Sequence, residues 1–342
     1  MAAGQAECRP HDSRRISVGQ CAVHPSNEGN WSLVDMAAQQ QWPSLGVVIA
    51  THKRPELMRR ALESVLTQDY EGVIYVALVF DRCEPDITLT KDANHRSVSV
   101  LTNTRTPGLA GARNTGILSL DTELVAFCDD DDQWLPGKIR AQVERLEQVP
   151  EADFVTTAMR VNFRGKDTVR LAGTDTVTVQ DMARSRMAML HSSSFMFRRA
   201  AMLEGFGLVD EDIPQSMAED WDLLLRAARA HPITHVDHPL VDIQWGQNSY
   251  FNEAWRDKNE AQSWLLEHHP EMRQDRTGAA LQYGKLAFGH AALGERKRAL
   301  RYVWKTLLSN WREPRGPIAL AVISGLPAER IQDWLNRYGH GI

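Results

Sequence analysis

Four consecutive carboxylates, Asp129 to Asp132, are the residues whose types and spacing most directly indicate chemistry. They follow the apolar run Leu124 to Phe127, which is typical of a short strand buried on both faces of a sheet. In open α/β sheets ligands bind beyond the carboxyl ends of the strands, so side chains at this position face a site. Adjacent carboxylates repel one another, and a divalent cation that prefers oxygen ligands stabilises them in the ionised form. The pattern therefore predicts a site for a metal ion and a diphosphate.

An acidic run can also be a solvated surface. The flanks favour a packed position here, because Pro136 is typical of a helix start and Ile139, Val143 and Leu146 recur at helical spacing. A calcium loop of the EF-hand kind is disfavoured, since the alternating acids and the central glycine are missing.

The elements that must position these carboxylates begin with a strand from Leu45 to Ala50. A helix from Pro55 to about Gln68 and a second strand from Val73 to Phe80 follow, and strand–helix–strand is the unit that builds a parallel sheet. Asp81 ends the second strand, so we expect it to lie beside Asp129 to Asp132, although a turn residue capping the next loop would fit the local sequence equally well.

A glycine-rich segment, Pro107 to Gly116, follows a third short strand at Val98 to Leu101. Glycines allow a backbone to approach a ligand closely, and Arg113 within the segment can pair with phosphate or stack on a base. The spacing is neither the dinucleotide fingerprint nor the Walker loop, and Gly and Asn also make ordinary turns.

The chain as a whole has the composition of an ordinary soluble protein. Of its 342 residues 43% are hydrophobic and 24% are charged, and the formal net charge of −5 argues against a nucleic-acid partner that needs a broad basic face. Four cysteines without metal-ligand spacing fit reduced thiols in the cytoplasm. We expect neither a signal peptide nor a transmembrane segment, because no apolar run is long enough.

Together, these motifs resemble the family 2 glycosyltransferases of the GT-A fold. The resemblance spans roughly residues 45 to 245. It is carried by Val47 to Pro55, Asp81 to Asp86, Gly108 to Gly116, Asp129 to Pro136, His191 to Arg199 and Ala218 to Leu223.

This resemblance implies an α/β domain with a Rossmann-like, mixed and mostly parallel sheet flanked by helices. We expect a partly ordered extension at residues 1–43, the GT-A domain at 44–250 and a small helical domain at 251–342. The implied activity is inverting transfer of a sugar from a nucleotide-sugar donor, with UDP favoured, to a hydroxyl or amine. The acceptor, a glycan or a small natural product, is left open.

The resemblance also assigns roles on the donor side. Asp129 and Asp131 fill the two ends of the DXD motif, with Asp131 the ligand of Mn²⁺ or Mg²⁺ and Asp129 nearer the ribose. Asp81 would bind the nucleotide base, although Arg82 follows it where the family commonly has glycine. Further nucleotide-sugar contacts are expected at Thr51, Arg54, Arg113 and Asp130.

On the acceptor side, the resemblance makes Asp220 the base that deprotonates the acceptor. Glu219 and Asp220 would also fit a helix start, where acids meet the helix dipole favourably. His191 and Trp221 are expected near the acceptor or the diphosphate, but a single histidine near a strand and a tryptophan beside a leucine-rich helix are also common structural groups.

Two alternatives remain: a sugar-phosphate nucleotidyltransferase and a non-catalytic binding protein of the same fold. The first should carry a glycine-rich loop directly after its first strand, and Ala50 to Lys53 lacks it.

The C-terminal region has a helical pattern. Helices are expected at Trp255 to His268, Ala279 to Leu293 and Glu295 to Trp311, with a break at Gly294. A hairpin of the last two could form a homodimer or cover the first domain; contact of its basic residues with an anionic membrane is the less favoured reading.

Overall fold

The structure is a computed structural model that describes residues 42–163, 165–245 and 254–337. Most of the predicted N-terminal extension, and the predicted domain boundary at 250, therefore lie outside the described residues. At the start of the described part, Trp42 packs edge-on against Tyr70 with ring centres 5.3 Å apart. The Arg140 guanidinium lies 5.1 Å from the centre of the Trp42 ring, so Trp42 belongs to the packed domain.

In the described residues, ten strands form one mixed sheet. The strands β1, β2 and β4 have apolar residues at most positions, as expected for strands covered on both faces, whereas the edge strand β3 buries only Val98. The strands are β1 Leu45–Thr51, β2 Ile74–Phe80, β3 Arg96–Thr102, β4 Leu124–Phe127, β5 Gln133–Trp134, β6 Phe154–Phe163, β7 Lys166–Arg170, β8 Thr176–Val177, β9 Met196–Arg198 and β10 Ile233–Trp245.

The order across the sheet is β3-β2-β1-β4-β9-β6-β10-β5, with β7 beside β6 and β8 beside β10. The strands β3, β2, β1 and β4 are parallel, as are β6 and β10, while β9 runs antiparallel between β4 and β6. Thr51 pairs with Phe80 and Val48 with Phe127, so β1, β2 and β4 end at the same edge. The predicted mixed, mostly parallel sheet is confirmed.

Helices flank this sheet. The apolar stripe of the first helix, predicted from its spacing, is buried at Met58, Ala61, Leu62 and Val65. The helices up to the last strand are α1 Pro55–Leu66, α2 Leu109–Ser119, α3 Lys138–Gln148, α4 Val179–Arg184, α5 Arg199–Ala201 and α6 Glu219–Ala230. The prediction that Pro136 opens a helix was two residues early, because Gly137 adopts a left-handed φ of 81° before α3 begins.

The C-terminal region is helical, as predicted. Its helices are α7 Trp255–His268, α8 Glu271–Gln274, α9 Arg276–Ala292, α10 Arg296–Ser309, α11 Arg315–Ile323 and α12 Ala328–Arg337. Gly294, with a φ of 74°, separates α9 from α10. α10 buries Ala299 and Val303 and leaves Trp304 and Leu308 exposed. Homodimerisation and membrane contact through these helices stay predictions; among the described helices, none has the length and apolar character needed to cross a bilayer.

Candidate active site

The acidic quartet, Asp129 to Asp132, lies at the carboxyl edge of the parallel strands. It follows β4, while Thr51 ends β1 and Asp81 follows β2. Thr51 Oγ1 donates a hydrogen bond of 2.8 Å to Asp130 Oδ2 in the protein interior. Sheet order thus brings together polar residues that are far apart in sequence.

The two ends of the quartet, Asp129 and Asp132, have different partners from the two middle residues. Asp129 accepts a hydrogen bond of 2.6 Å from Arg113 Nη2. Asp132, which is 2% exposed, accepts one of 2.5 Å from Ser193 Oγ, and its Oδ2 lies 3.4 Å from His191 Nδ1. Asp132 is therefore held from the side of the His191 segment, and Asp129 from the glycine-rich helix α2.

The two middle residues, Asp130 and Asp131, form ion pairs with Arg54, whose side chain is 47% exposed. Arg54 Nη1 lies 2.7 Å from Asp131 Oδ2 and 3.2 Å from Asp130 Oδ1. The side chain of Asp131 is 36% exposed, against 9% for Asp130. Asp131 is therefore the more accessible of these two carboxylates to a ligand.

The four carboxyl groups differ in the direction in which their pKa values are shifted. Burial and the neighbouring carboxylates raise the pKa of Asp131, and raise that of Asp132 well above its usual value. Burial also raises the pKa of Asp130, although the hydroxyl of Thr51 opposes it. Burial opposes ionisation of Asp129, but its pKa is lowered because Arg113, His191 and the Ser192 hydroxyl together outweigh that effect. A cation among these groups would favour their ionised forms.

Arg113 connects the quartet to the Glu219–Asp220 motif. Its side chain is 2% exposed, and its Nη1 donates a hydrogen bond of 2.6 Å to Glu219 Oε1 while Nη2 binds Asp129. The guanidinium also lies 4.8 Å from the ring centre of Phe127. Burial raises the pKa of Glu219 to about 7 and outweighs the attraction of Arg113.

Asp220 lies in the first turn of α6. Its Oδ2 forms an ion pair with Arg186, and its Oδ1 accepts a hydrogen bond of 2.7 Å from the backbone N–H of Trp221. Asp220 is close enough to act electrostatically on both His191 and Arg113. The predicted base and the predicted donor-side residues therefore share one region.

The turn before α6 has an unusual backbone. Gln215, Ser216 and Ala218 have φ angles of 55°, 51° and 65°, a region that costs non-glycine residues free energy and is often found at functional sites. Ser216 Oγ accepts a hydrogen bond of 3.2 Å from the backbone N–H of Ala110 in the glycine-rich helix start. This contact links the two motifs a second time.

Asp81 is buried at the end of β2, with 4% exposure. It accepts hydrogen bonds of 2.8 Å from Asn103 Nδ2 and from Arg82 Nε. Although burial opposes it, Asn103, the backbone N–H of Gly108 and Arg82 lower the pKa of Asp81. Arg82 has a φ of 50°, in the region that favours glycine, and glycine is the residue expected there from the resemblance.

His191 and Trp221 have different surroundings. The His191 side chain is 27% exposed, accepts a hydrogen bond of 3.3 Å from the N–H of Ser193, and has a pKa lowered by burial. Trp221 is 1% exposed and belongs to the hydrophobic core. Its ring is buried in the core, and its expected place near the acceptor or the diphosphate stays a prediction.

One group of side chains in the described residues has the arrangement of a metal site. Ligand atoms of Asp129, Asp132 and His191 all lie within 4.8 Å of one another. Asp131, the metal ligand expected from the resemblance, is not in this group and pairs with Arg54 instead. Carboxylate oxygens and one imidazole nitrogen suit Mn²⁺ as ligands. Burial and the crowding of carboxylates raise the pKa values of Asp131 and Asp132, and a bound cation would oppose that effect.

Three partners of these residues were not predicted from the sequence. Asn103 follows β3 and holds Asp81, and the strand-end rule could have found it. Ser192 Oγ donates a hydrogen bond of 2.7 Å to Asp129, within the segment already quoted for the resemblance. Arg186 lies in a connection without periodicity, and only the fold brings it to Asp220.

Residues 46–206 match the family model described as glycosyl transferase family 2. This segment is a family 2 glycosyltransferase domain. The enzyme class expected from the sequence, a glycosyltransferase, is thereby confirmed.

Curated relatives agree with the family 2 assignment. The chain is 27% identical over 201 residues to the uncharacterized glycosyltransferase YwdF of Bacillus subtilis, covering 56% of this chain and 70% of that protein. It is 28% identical over 104 residues to WfgD of Escherichia coli, named a UDP-Glc:alpha-D-GlcNAc-diphosphoundecaprenol beta-1,3-glucosyltransferase, covering 30% of this chain and 40% of WfgD. The chain thus spans less than half the length of WfgD.

Solved structures agree with the fold. TarS 1-349 of S. aureus superposes with a TM-score of 0.54 at 16% identity, covering 87% of this chain and 92% of that one. A mannosyltransferase of Pyrobaculum calidifontis superposes with a TM-score of 0.50 at 15% identity, covering 87% of this chain and 88% of that one. The family 2 domain therefore has the GT-A fold, followed by a helical region.

Proposed function

We propose that this family 2 domain transfers a sugar from a UDP-sugar to an acceptor hydroxyl or amine, with inversion at the anomeric carbon. The observation that carries the proposal is the bridge made by Arg113 between Asp129 and Glu219. The bridge ties the donor-side acids to the segment that contains Asp220. A donor bound at one end of this cleft would present its anomeric carbon to a base at the other end.

On the donor side, Asp81 is the proposed partner of the nucleotide base, and Thr51, Arg54 and Asp130 border it. The low pKa of Asp81 keeps this carboxylate ionised and able to accept hydrogen bonds from a base. UDP is favoured because WfgD is named a UDP-Glc transferase and TarS 1-349 has been solved in complex with UDP. Both facts concern those proteins and support the same donor here by similarity.

The metal site is proposed at Asp131 and Asp129, beside Asp132 and His191. When bound, Mn²⁺ or Mg²⁺ supplies positive charge that stabilises the departing diphosphate. Mn²⁺ is present with GDP-Man in the mannosyltransferase structure, which supports a divalent ion in this fold. Arg54 must release Asp131, and its side chain, 47% exposed, can turn toward a phosphate oxygen instead.

Asp220 is the proposed base. Inverting transfer requires a carboxylate that takes the acceptor proton while the acceptor oxygen attacks the anomeric carbon from the face opposite the diphosphate. Arg186 and the N–H of Trp221 each hold one oxygen of Asp220 and fix the direction of its carboxylate. His191, near Asp129 and Asp220, is proposed to contact the diphosphate or the acceptor.

We also propose a cytoplasmic location, because Cys83 and Cys128, the two described cysteines, are free thiols that fit a reducing compartment.

A thermal-shift panel tests the donor assignment. The full chain is heated with UDP-, GDP- and dTDP-sugars, each in Mn²⁺ and in EDTA. A UDP-sugar at about 100 times its Kd should stabilise the folded state by about 2.7 kcal/mol, and only with metal. Equal shifts for all nucleotides, or no shift with any, would contradict the proposal.

A further inference from the structure

A cluster of cationic side chains lies beside Asp220 on the side of the C-terminal helices. The Arg186 guanidinium lies 5.4 Å and Lys285 Nζ 4.9 Å from the ring centre of Trp221. Lys258 of α7 and Arg315 of α11 are close enough to Lys285 to act on it electrostatically. We call Arg186, Lys258, Lys285 and Arg315 the basic cluster.

The carboxylates near the basic cluster balance only part of its charge. Asp220 pairs with Arg186, and Glu313 pairs with Arg315 at 2.6 Å. In the described residues, no carboxylate lies within ion-pair distance of the amines of Lys258 and Lys285. Within the described residues, two of the four cationic groups therefore have no paired carboxylate.

Two buried donors beside the cluster also lack acceptors. Arg186 Nη1 and Trp221 Nε1 are shielded from solvent and form no hydrogen bond with the described part of the chain. Buried polar groups without partners are rare in folded proteins, and each points to a bound water, an ion or a functional need. Arg186 Nη1 is adjacent to the nitrogen that binds Asp220, so a missing partner of this atom would lie close to the proposed base.

The pKa values of the two amines in the cluster are lowered. Burial, together with Arg315, Arg186 and Lys258, lowers the pKa of Lys285 to about 7, and burial lowers that of Lys258 to about 8. Holding like charges together in partly dry surroundings costs folding free energy. A bound anion would remove that cost.

We propose that the basic cluster is the subsite for a phosphate or diphosphate group of the acceptor. A phosphate group offers several oxygens and nearly two negative charges, which match the two amines without a paired carboxylate and the unpaired guanidinium nitrogen better than a single carboxylate does. The inference rests on the proposed function, since it assigns this group to the acceptor because Asp220 is the base. It adds a role for the C-terminal helices, which supply Lys258, Lys285 and Arg315.

The same phosphate chemistry could come from the donor diphosphate, so the test must separate the two sources. Inorganic pyrophosphate is titrated calorimetrically into the full chain in EDTA, where metal-dependent donor binding is switched off. We expect the wild-type protein to bind pyrophosphate and Lys285→Gln to raise the Kd of pyrophosphate at least tenfold. Asp131→Asn, which changes the donor side, should leave this Kd within twofold of the wild-type value. Lys305→Gln is the matched control, because Lys305 also lies over aromatic rings, 5.2 Å from those of Tyr283 and Tyr302, but outside the cluster.

Stability gives a second readout. Lys285→Gln removes an uncompensated charge, so its melting temperature without ligand should rise; if this variant does not fold, Lys258→Gln replaces it in both measurements. A wild-type protein that does not bind pyrophosphate or an unchanged Kd in the cluster variant would overturn the inference. So would a Kd that falls more than twofold in Asp131→Asn, because removal of a repelling carboxylate would then show that pyrophosphate binds on the donor side. Each of these results is independent of whether UDP with Mn²⁺ raises the melting temperature, so failure of the subsite and failure of the proposed donor chemistry are distinguishable.

Discussion

Arg113 and Glu219 form a buried ion pair of 2.6 Å between residues that are 106 positions apart in sequence. The second nitrogen of the same guanidinium binds Asp129. The Arg113 side chain thus aligns the acidic quartet that follows β4 with the first turn of α6. The predictions about the site depend on this alignment.

Replacing Arg113 by Met should be strongly destabilising. The change leaves Glu219 and Asp129 as neighbouring carboxylates without their cation, and removing one partner of a buried ion pair costs about 3–5 kcal/mol. Urea unfolding of both proteins measures the difference. The double variant R113M/E219Q should recover part of the loss, and a single variant as stable as wild type would show that the bridge contributes little.

Glu219 should make stability depend on pH between 4.5 and 7. Its pKa is raised from 4.5 to about 7 in the folded state, so the folded protein binds this proton more tightly than the unfolded chain does. Stability from this group is therefore greatest below pH 4.5 and declines as the pH rises through about 7. Across this window, wild type should lose roughly 1–3 kcal/mol of unfolding free energy more than E219Q. Parallel pH profiles for the two proteins would refute the raised pKa.

Asp220→Asn should remove turnover and spare donor binding. An amide cannot accept the acceptor proton, and general-base assistance is worth about 10²–10⁴-fold in rate. Transfer is measured with the donor that the thermal-shift panel identifies, together with the Kd of UDP in Mn²⁺. Asp212→Asn, on the exposed turn before the motif, is the control and should behave as wild type. Near-normal turnover by D220N would exclude Asp220 as the base.

Asp131→Asn should weaken metal-dependent donor binding without destabilising the folded protein. Burial and the neighbouring carboxylates raise the pKa of Asp131, so neutralising it should increase the melting temperature without metal. The same change removes a proposed metal ligand and should weaken UDP binding in Mn²⁺ at least tenfold. Wild-type affinity in this variant would contradict Asp131 as a metal ligand and assign the metal instead to the group formed by Asp129, Asp132 and His191.

The sequence predicted those parts of the fold in which one local pattern dominates. The strand Leu124–Phe127 and the helix Trp255–His268 were predicted with their observed bounds, because an apolar run and a periodic stripe needed no tertiary information. No strand was predicted over β6, where Thr156 and Thr157 interrupt the apolar pattern, yet both threonines are buried in the sheet. That burial depends on neighbours far away in the chain.

The site was predictable as a set of acids but not as a set of pairs. Strand ends indicated Asp81 and the quartet, since parallel strands end at one edge. Which carboxylate meets which cation depends on how loops cross that edge, and for this reason Arg186 and the pairing of Arg54 with Asp131 had no sequence signal. The four acids also differ in pKa for reasons that only their burial reveals.

The most direct test of the central claim is a crystal structure of the full chain with UDP and Mn²⁺, in which anomalous scattering locates the metal. We predict a single manganese peak between Asp129 and Asp131, the uracil against Asp81, and the Asp220 carboxylate facing the open side of the diphosphate. A manganese peak away from these acids, or a uracil bound elsewhere than at Asp81, would contradict a cleft shared by donor, metal and base.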